Sequence, residues 1–184
     1  MIVAIHQPNY APWLGYFHKM AHSDTFVFLD DVQFSRGSYT NRVKIGRTGK
    51  AVWLTQPIKH DFGSSICDTA FSIDDWPARH LDTLKSSYRH ALAFNEIWPL
   101  VQAIWEEIPC ETLAAANRYI VESLAELLGL KPQFVTSSAL PTGATTGDAR
   151  LAQIMRTVAP GGGVYLSGKG GSRYQSADTF SAEG

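Results

Sequence analysis

A mainly parallel, Rossmann-like α/β sheet with flanking helices and a helical middle segment is the fold this sequence predicts. Three observations carry that expectation. Short apolar runs of strand length, such as Ile2–Ile5, Phe26–Leu29 and Val164–Leu166, are separated by stretches whose apolar residues recur at helical spacing. No internal repeat and no low-complexity tract interrupts that alternation. Pro57, Pro109, Gly129 and Pro160 with the glycines after it mark where elements end.

Taken in order, a strand over about 2–6 precedes a Pro/Asn turn and a helix over about 12–21, where Pro12 suits the first helical turn because its missing N–H costs nothing there. A strand over about 25–31 leads into a basic, glycine-bearing segment, 34–50, expected as a loop or ribbon. Val52–Thr55 reads as a further strand closed by Pro57, and a short strand is expected near 69–73. Helices follow from Trp76 to Tyr88 or His90, over about 95–107 ahead of Pro109, and over 111–128, where Gly129 supplies a left-handed cap. Phe134–Ser137 is a strand. Thr145–Asp148 caps a helix carrying Leu151, Ile154, Met155 and Val158 at i, i+3, i+4 and i+7, and a last strand, Val164–Ser167, runs into Gly168-Lys169-Gly170-Gly171. Residues 1–184 are expected as one α/β domain, with 76–129 a helical insertion or subdomain. Residues 172–184 are polar and small, so the chain is expected either to end in a tail or to be shorter than its natural parent.

Length and composition bound the function. At 184 residues the chain can bury a real core, and a net charge of -1 argues against nucleic acid as the main partner. Cys67 and Cys110 form no disulfide framework and no metal spacing. No apolar stretch reaches the roughly 18–20 residues that span a bilayer, so no membrane insertion is expected and the cytoplasm is the expected location. Charge is nonetheless uneven: from 32 to 60 there is no acidic residue, but there are Arg36, Arg42, Lys44, Arg47, Lys50 and Lys59.

Four groups of residues bear on chemistry. His6 ends one strand and Asp30-Asp31 ends the next, so parallel pairing would set them on one carboxyl-terminal sheet edge, where open α/β sheets bind ligands. A histidine beside carboxylates suits a general base, a phosphate contact or a metal ligand; a core histidine and a turn-capping aspartate are the plainer alternative. Gln7, Asn9, Tyr10, Trp13, Tyr16 and Gln33 surround this edge with donors and aromatic faces. Asn41, Arg42 and Lys44 suit phosphate groups, although a solvated basic face would look similar. Ser167, Gly168 and Lys169 can turn backbone N–H groups toward an anion, but they form neither a Walker A loop nor a dinucleotide fingerprint. The aromatics Trp53, Trp76, Tyr88, Phe94, Trp98 and Trp105 read mostly as core, with one or two able to stack on a sugar or base.

The run His6-Gln7-Pro8-Asn9-Tyr10-Ala11-Pro12-Trp13-Leu14-Gly15-Tyr16-Phe17, with Asp24, Phe28–Phe34 and Asn41-Arg42, closely resembles the WbqC-like protein family. Trp53-Leu54-Thr55, Pro57, Trp76, His80, Tyr88, Tyr165–Gly168 and Tyr174 fit the same pattern, so the resemblance covers nearly the whole chain. Ala91-Leu92-Ala93 departs from it where the family tends to have a proline. Members that this chain resembles continue with a further apolar strand and helix, which implies a missing carboxyl-terminal portion. A looser, fold-level likeness links the opening to nucleotidylyl transferases and pantothenate synthetases (HUP-type proteins), although their H-x-G-H signature is absent.

The family resemblance implies bacterial surface-polysaccharide (O-antigen) biosynthesis. The resulting expectation is a transferase that passes an acyl or aminoacyl group, a glycyl group among the options, to an amino sugar. His6, Asp30 and Asp31 are its expected catalytic groups. Gln7, Asn9, Tyr10, Trp13, Tyr16, Gln33, Asn41, Arg42, Lys44, Ser167, Gly168, Lys169 and Tyr174 are its expected substrate- or phosphate-binding groups. ATP or another nucleotide is the candidate cofactor and no metal is expected. The partners are an activated sugar or amino sugar and a small acyl or amino-acid donor, with a homodimer allowed. A non-catalytic nucleotide-sugar module and a metal-dependent hydrolase are the alternatives.

Overall fold

The structure is a computed structural model, and it describes residues 1–47, 49–59, 61, 63–143 and 145–168. In chain order its elements are β1 (Ile2–His6), α1 (Leu14–Ala21), β2 (Thr25–Phe28), β3 (Arg42–Arg47), β4 (Lys50–Thr55), β5 (Ile58–Lys59) and β6 (Ala70–Phe71). There follow α2 (Trp76–Tyr88), α3 (Phe94–Glu106), α4 (Leu113–Leu127), β7 (Gln133–Thr136), α5 (Gly147–Val158) and β8 (Val164–Leu166). Two compact units divide the chain: one holds 1–7, 13–31 and the residues from 129 onward, the other 8–12 and 32–128. The helices α2 to α4, expected as an insertion over 76–129, belong to this second unit together with β3 to β6.

In the first unit a four-stranded sheet has the order β7-β2-β1-β8. All its pairings are parallel, with Ala4 opposite both Phe26 and Leu166, and Val27 opposite Val135. The alternation of side chains across a strand sends Val3, Ile5 and Val27 to one face, where they pack with Ile154 and Ala159. On the other face the ring of Phe26 lies 5.2 Å from Tyr16 of α1 and 5.4 Å from Phe28. Both faces are covered by helices, which is why the strands read as continuous apolar runs.

The strand expected over 25–31 stops at Phe28. The Leu29 N–H still reaches the His6 carbonyl at 2.8 Å. After that Asp30 leaves the ladder, because its carboxylate is held by Ser137 and Ser138 of a single 3-10 turn, Ser137–Ala139. Likewise α1 opens at Leu14 and not Pro12, with Trp13 extended ahead of it.

The second unit answers the question of the basic segment: it is an antiparallel ribbon in which Lys44 faces Trp53 and Val43 faces Leu54. Ile45 and Leu54 are buried with Tyr10, Trp76, Trp105, Leu113 and Ile120 in this unit's core. Asn117 of α4, fully buried, donates from Nδ2 to the carbonyls of Pro8 (2.9 Å) and Thr40 (2.6 Å), fastening the incoming segment. Thr112 caps α4 by accepting from the Ala115 N–H at 3.2 Å. Among the described residues no helix is long and apolar enough to cross a membrane.

Candidate functional site

The chain reverses direction across the sheet at β1. From β1 it proceeds outward through β2 to β7, then returns by α5 to place β8 on the other side of β1. Between the carboxyl ends of β1 and β8 the two connections diverge, and such a switch point leaves a crevice. A cleft of about 870 Å³ occupies this edge of the first unit, lined among others by His6, Gln7, Trp13, Tyr16, Lys19 and Ser167.

The geometry of His6 follows from its neighbours. Its Nδ1 lies 3.1 Å from the Gln7 carbonyl. A carbonyl only accepts, so Nδ1 carries the proton and Nε2 the lone pair. The Gln7 carbonyl also accepts from the Tyr16 hydroxyl at 3.0 Å, and the Tyr16 ring stands edge-on to the imidazole at 4.7 Å. Of the aromatic residues expected around this edge, Tyr16 is the one whose ring and hydroxyl set the imidazole in place. Burial, then the nearby charge of Lys19, push the His6 pKa down to about 4, so the imidazole is neutral at pH 7.

Lys19 is a cleft residue that the strand-end reasoning did not single out. Its Nζ donates to the Ile5 carbonyl at 2.8 Å. That carbonyl lies one residue past the Ala4–Leu166 pair, the last between β1 and β8, so the lysine takes over where the ladder ends. The Lys19 Nζ also sits 5.8 Å from the centre of the Tyr165 ring. Burial pulls its pKa down to about 8, leaving it mostly cationic at neutral pH. The available signal was helical: Trp13, Tyr16, Lys19 and His22 are three residues apart, and all four line the cleft. A Cβ on Gly15 would stand 2.8 Å from the Trp13 Nε1, so a larger residue there would displace the indole from its place in the cleft wall.

Asp30 and Asp31 sit at the same sheet edge as His6, yet their carboxylates turn toward β7 and α5. Asp30, 3% exposed, accepts from the Ser138 N–H at 3.0 Å and the Ser138 hydroxyl at 2.7 Å, while its own N–H donates to the Ser137 Oγ at 3.1 Å. Asp31 accepts from the Ser137 hydroxyl at 2.6 Å and pairs with the guanidinium of Arg150. Arg150, itself buried, also donates to the Gly143 carbonyl at 3.1 Å.

The remaining expected site residues are distributed as follows. Gln7, Trp13, Tyr16, Ser167 and Gly168 line the cleft with His6. Asn9, Tyr10, Gln33, Asn41, Arg42 and Lys44 belong to the second unit. Tyr10 is fully buried there, and its hydroxyl donates to the His80 Nδ1 at 2.8 Å, the His80 Nε2 being committed to the Thr55 carbonyl at 3.1 Å. Asn9 is buried too, and Asn41 donates to the Gln56 carbonyl at 3.2 Å. Gln33 is exposed and bridges to Ser65. Lys169 and Tyr174 lie outside the described residues. Among the described residues there is no group of three or more His, Cys, Asp or Glu arranged to hold a metal ion.

Comparison with known proteins agrees with the opening motif. The model of the WbqC-like protein family matches residues 7–184. A curated relative, the uncharacterized protein Rv1507c of Mycobacterium tuberculosis (strain ATCC 25618 / H37Rv), is 32% identical over 137 residues, 73% of this chain. The match spans 59% of that relative's length. No solved structure matches the chain. With a family match running from Gln7 to the last residue, this chain belongs to the WbqC-like protein family.

Proposed function

We propose that the protein is a cytoplasmic transferase of surface-polysaccharide biosynthesis that passes an acyl or aminoacyl group, a glycyl group among the options, to an amino sugar. The observation that supports this most is a neutral His6 with its lone pair on Nε2, set beside a cationic Lys19 in a switch-point cleft. Transfer to an amine needs both. The amine nitrogen attacks the acyl carbon, its proton passes to Nε2, and the bond to the activating group breaks with its electron pair leaving on that group. A positioned base typically contributes about 10²–10⁴-fold when its pKa lies near the working pH, and an anionic group bound beside His6 would raise its pKa toward that range. Lys19 and the first turn of α1 supply positive potential for a phosphate-bearing activating group. ATP or a nucleotide-sugar is the proposed carrier of that phosphate; it adds an activated leaving group. Gln7, Trp13, Tyr16, Ser167 and Gly168 would hold it, together with Lys169.

Titration of the protein with ATP, nucleotide-sugars and glycine tests this reading. We expect one phosphate-bearing ligand to bind, about 10-fold weaker to Lys19→Met. We expect His6→Ala to keep that affinity within about 3-fold while losing transfer of labelled glycine to an amino sugar. Absence of binding by every phosphate-bearing ligand would sink the proposal. A second reading, a non-catalytic nucleotide-sugar module, draws on one observation: Asp30 and Asp31 are committed to internal partners, so among the described residues no carboxylate pairs with His6. An active wild type that His6→Ala inactivates would exclude it.

A further inference from the structure

The outward face of the β3–β4 ribbon carries a feature the cleft does not explain. Alternation along β3 and β4 sends Ile45 and Leu54 into the core of the second unit, and leaves Arg42, Lys44 and Trp53 on the opposite face. The Arg42 guanidinium lies 4.1 Å from the centre of the Trp53 ring, and the Lys44 Nζ 5.0 Å from it. The Tyr39 ring adjoins at 5.7 Å, tilted by 53°. Trp53 and Tyr39 are 41% and 47% exposed, so the patch shows aromatic surface and positive charge to solvent together.

The guanidinium is held in place before any ligand arrives. Its Nη2 donates to the Gly37 carbonyl. Gly37 has φ +79, which favours glycine, and a Cβ there would stand 3.3 Å from that Nη2, a tight contact that would shift the guanidinium slightly. The three ion pairs among the described residues are Arg79–Asp75, Arg118–Glu122 and Arg150–Asp31. Arg42 and Lys44 take part in none of them, in a segment with no acidic residue from 32 to 60. A planar fork held over an indole, with no carboxylate paired to it among the described residues, is a preorganised oxyanion receptor. The indole and phenol beside it add ring faces on which an apolar or C–H surface can lie.

We propose that this ribbon face is a binding site for an anionic saccharide, a pyranose bearing a phosphate or carboxylate. The oxyanion pairs with Arg42 and Lys44, and the sugar ring rests against Trp53 and Tyr39. The site is independent of the transferase reading, since none of its residues lines the His6 cleft.

The test is a set of titrations of the whole protein with glucose 1-phosphate, glucuronate, glucose and inorganic phosphate, followed by Trp fluorescence and by chemical shifts of the ribbon amides. Glucose 1-phosphate, glucuronate or both should bind saturably, at least 10-fold tighter than glucose or inorganic phosphate, and the better of the two names the source of the charge. Arg42→Ala should weaken that binding at least 10-fold and Arg42→Lys about 5-fold, because lysine keeps the charge and the fold but loses the planar fork. Trp53→Phe should weaken it about 3-fold, and His6→Ala should leave it unchanged. The proposal is overturned if no anionic pyranose binds, if inorganic phosphate binds as tightly as its sugar ester, or if Arg42→Lys and Arg42→Ala both retain wild-type affinity. Failure of nucleotide binding in the cleft with ribbon binding intact would count against the transferase reading alone.

Discussion

Replacing Asp30 separates a residue that builds the sheet edge from one that acts on a ligand. In Asp30→Ala, the Ser137 hydroxyl keeps a partner, because its single proton already reaches Asp31 at 2.6 Å, and its oxygen still accepts from the residue-30 N–H. What is lost are the two bonds from Ser138, at 3.0 and 2.7 Å, to a carboxylate that is 3% exposed. Bonds to a charged group contribute about 1.5–3 kcal/mol each. Ser138 is exposed and can turn to water, so the lower end applies and the total is about 3 kcal/mol. In Asp30→Asn the amide oxygen keeps the Ser138 N–H, and the Ser138 hydroxyl can rotate to accept from the new amide, so the loss is about 1 kcal/mol. For a chain of this size about 2–4 °C accompanies each kcal/mol. Thermal unfolding should therefore fall by about 6–12 °C for the alanine variant and by about 2–4 °C for the asparagine variant. Ligand affinity of the folded fraction should be unchanged in both. An alanine variant that melts within 2 °C of wild type while losing ligand binding would refute the reasoning and return Asp30 to the site.

Three further outcomes are expected. Burial pushes the His80 pKa down to about 4 against an unfolded value of 6.5; the unfolded chain thus takes up the proton first, and the stability this histidine supports is complete above pH 6.5 and lost as pH falls toward 4. The loss is about 2 kcal/mol at pH 5, and urea unfolding at pH 7 and pH 5 should show a correspondingly smaller difference in His80→Gln. Arg150→Met removes the partner of Asp31 and should cost about 3 kcal/mol in urea unfolding, with Arg150→Met/Asp31→Asn less destabilised than the single change because no uncompensated charge remains. Gly163→Ala sets a Cβ 2.9 Å from the Met1 carbonyl, which accepts from the Val164 N–H at 2.9 Å, whereas a Cβ on Gly161 meets nothing within 4 Å. The first should lose about 1–3 kcal/mol and the second about 0.5 or less, read as the difference in their melting temperatures.

The sequence by itself determined the order of the helices and of the parallel strands, and the edge at which the cleft lies. Continuous apolar runs such as Thr25–Phe28 could be stable only as strands covered on both faces, and the spacing of Leu151, Ile154, Met155 and Val158 only as a helix on one of them. His6 at the end of the first run had to emerge at the carboxyl-terminal edge, because a parallel register leaves no other place for it. What the side chains do there was decided by the tertiary structure. Asp30 and Asp31 look catalytic beside His6 in the chain, but Ser138 takes up the carboxylate of the first, and Ser137 and Arg150 that of the second, all more than a hundred residues away in sequence. Tyr10 looks like a site residue in the opening motif, but its hydroxyl is taken by His80 in another core. Lys19, silent as one polar residue of a short helix, becomes a cleft cation because β8 ends one residue before the carbonyl it caps. Periodicity records which face of an element a residue occupies, since that follows from local backbone geometry. Which partner meets that face depends on pairings between distant segments, and no local pattern in the chain encodes them.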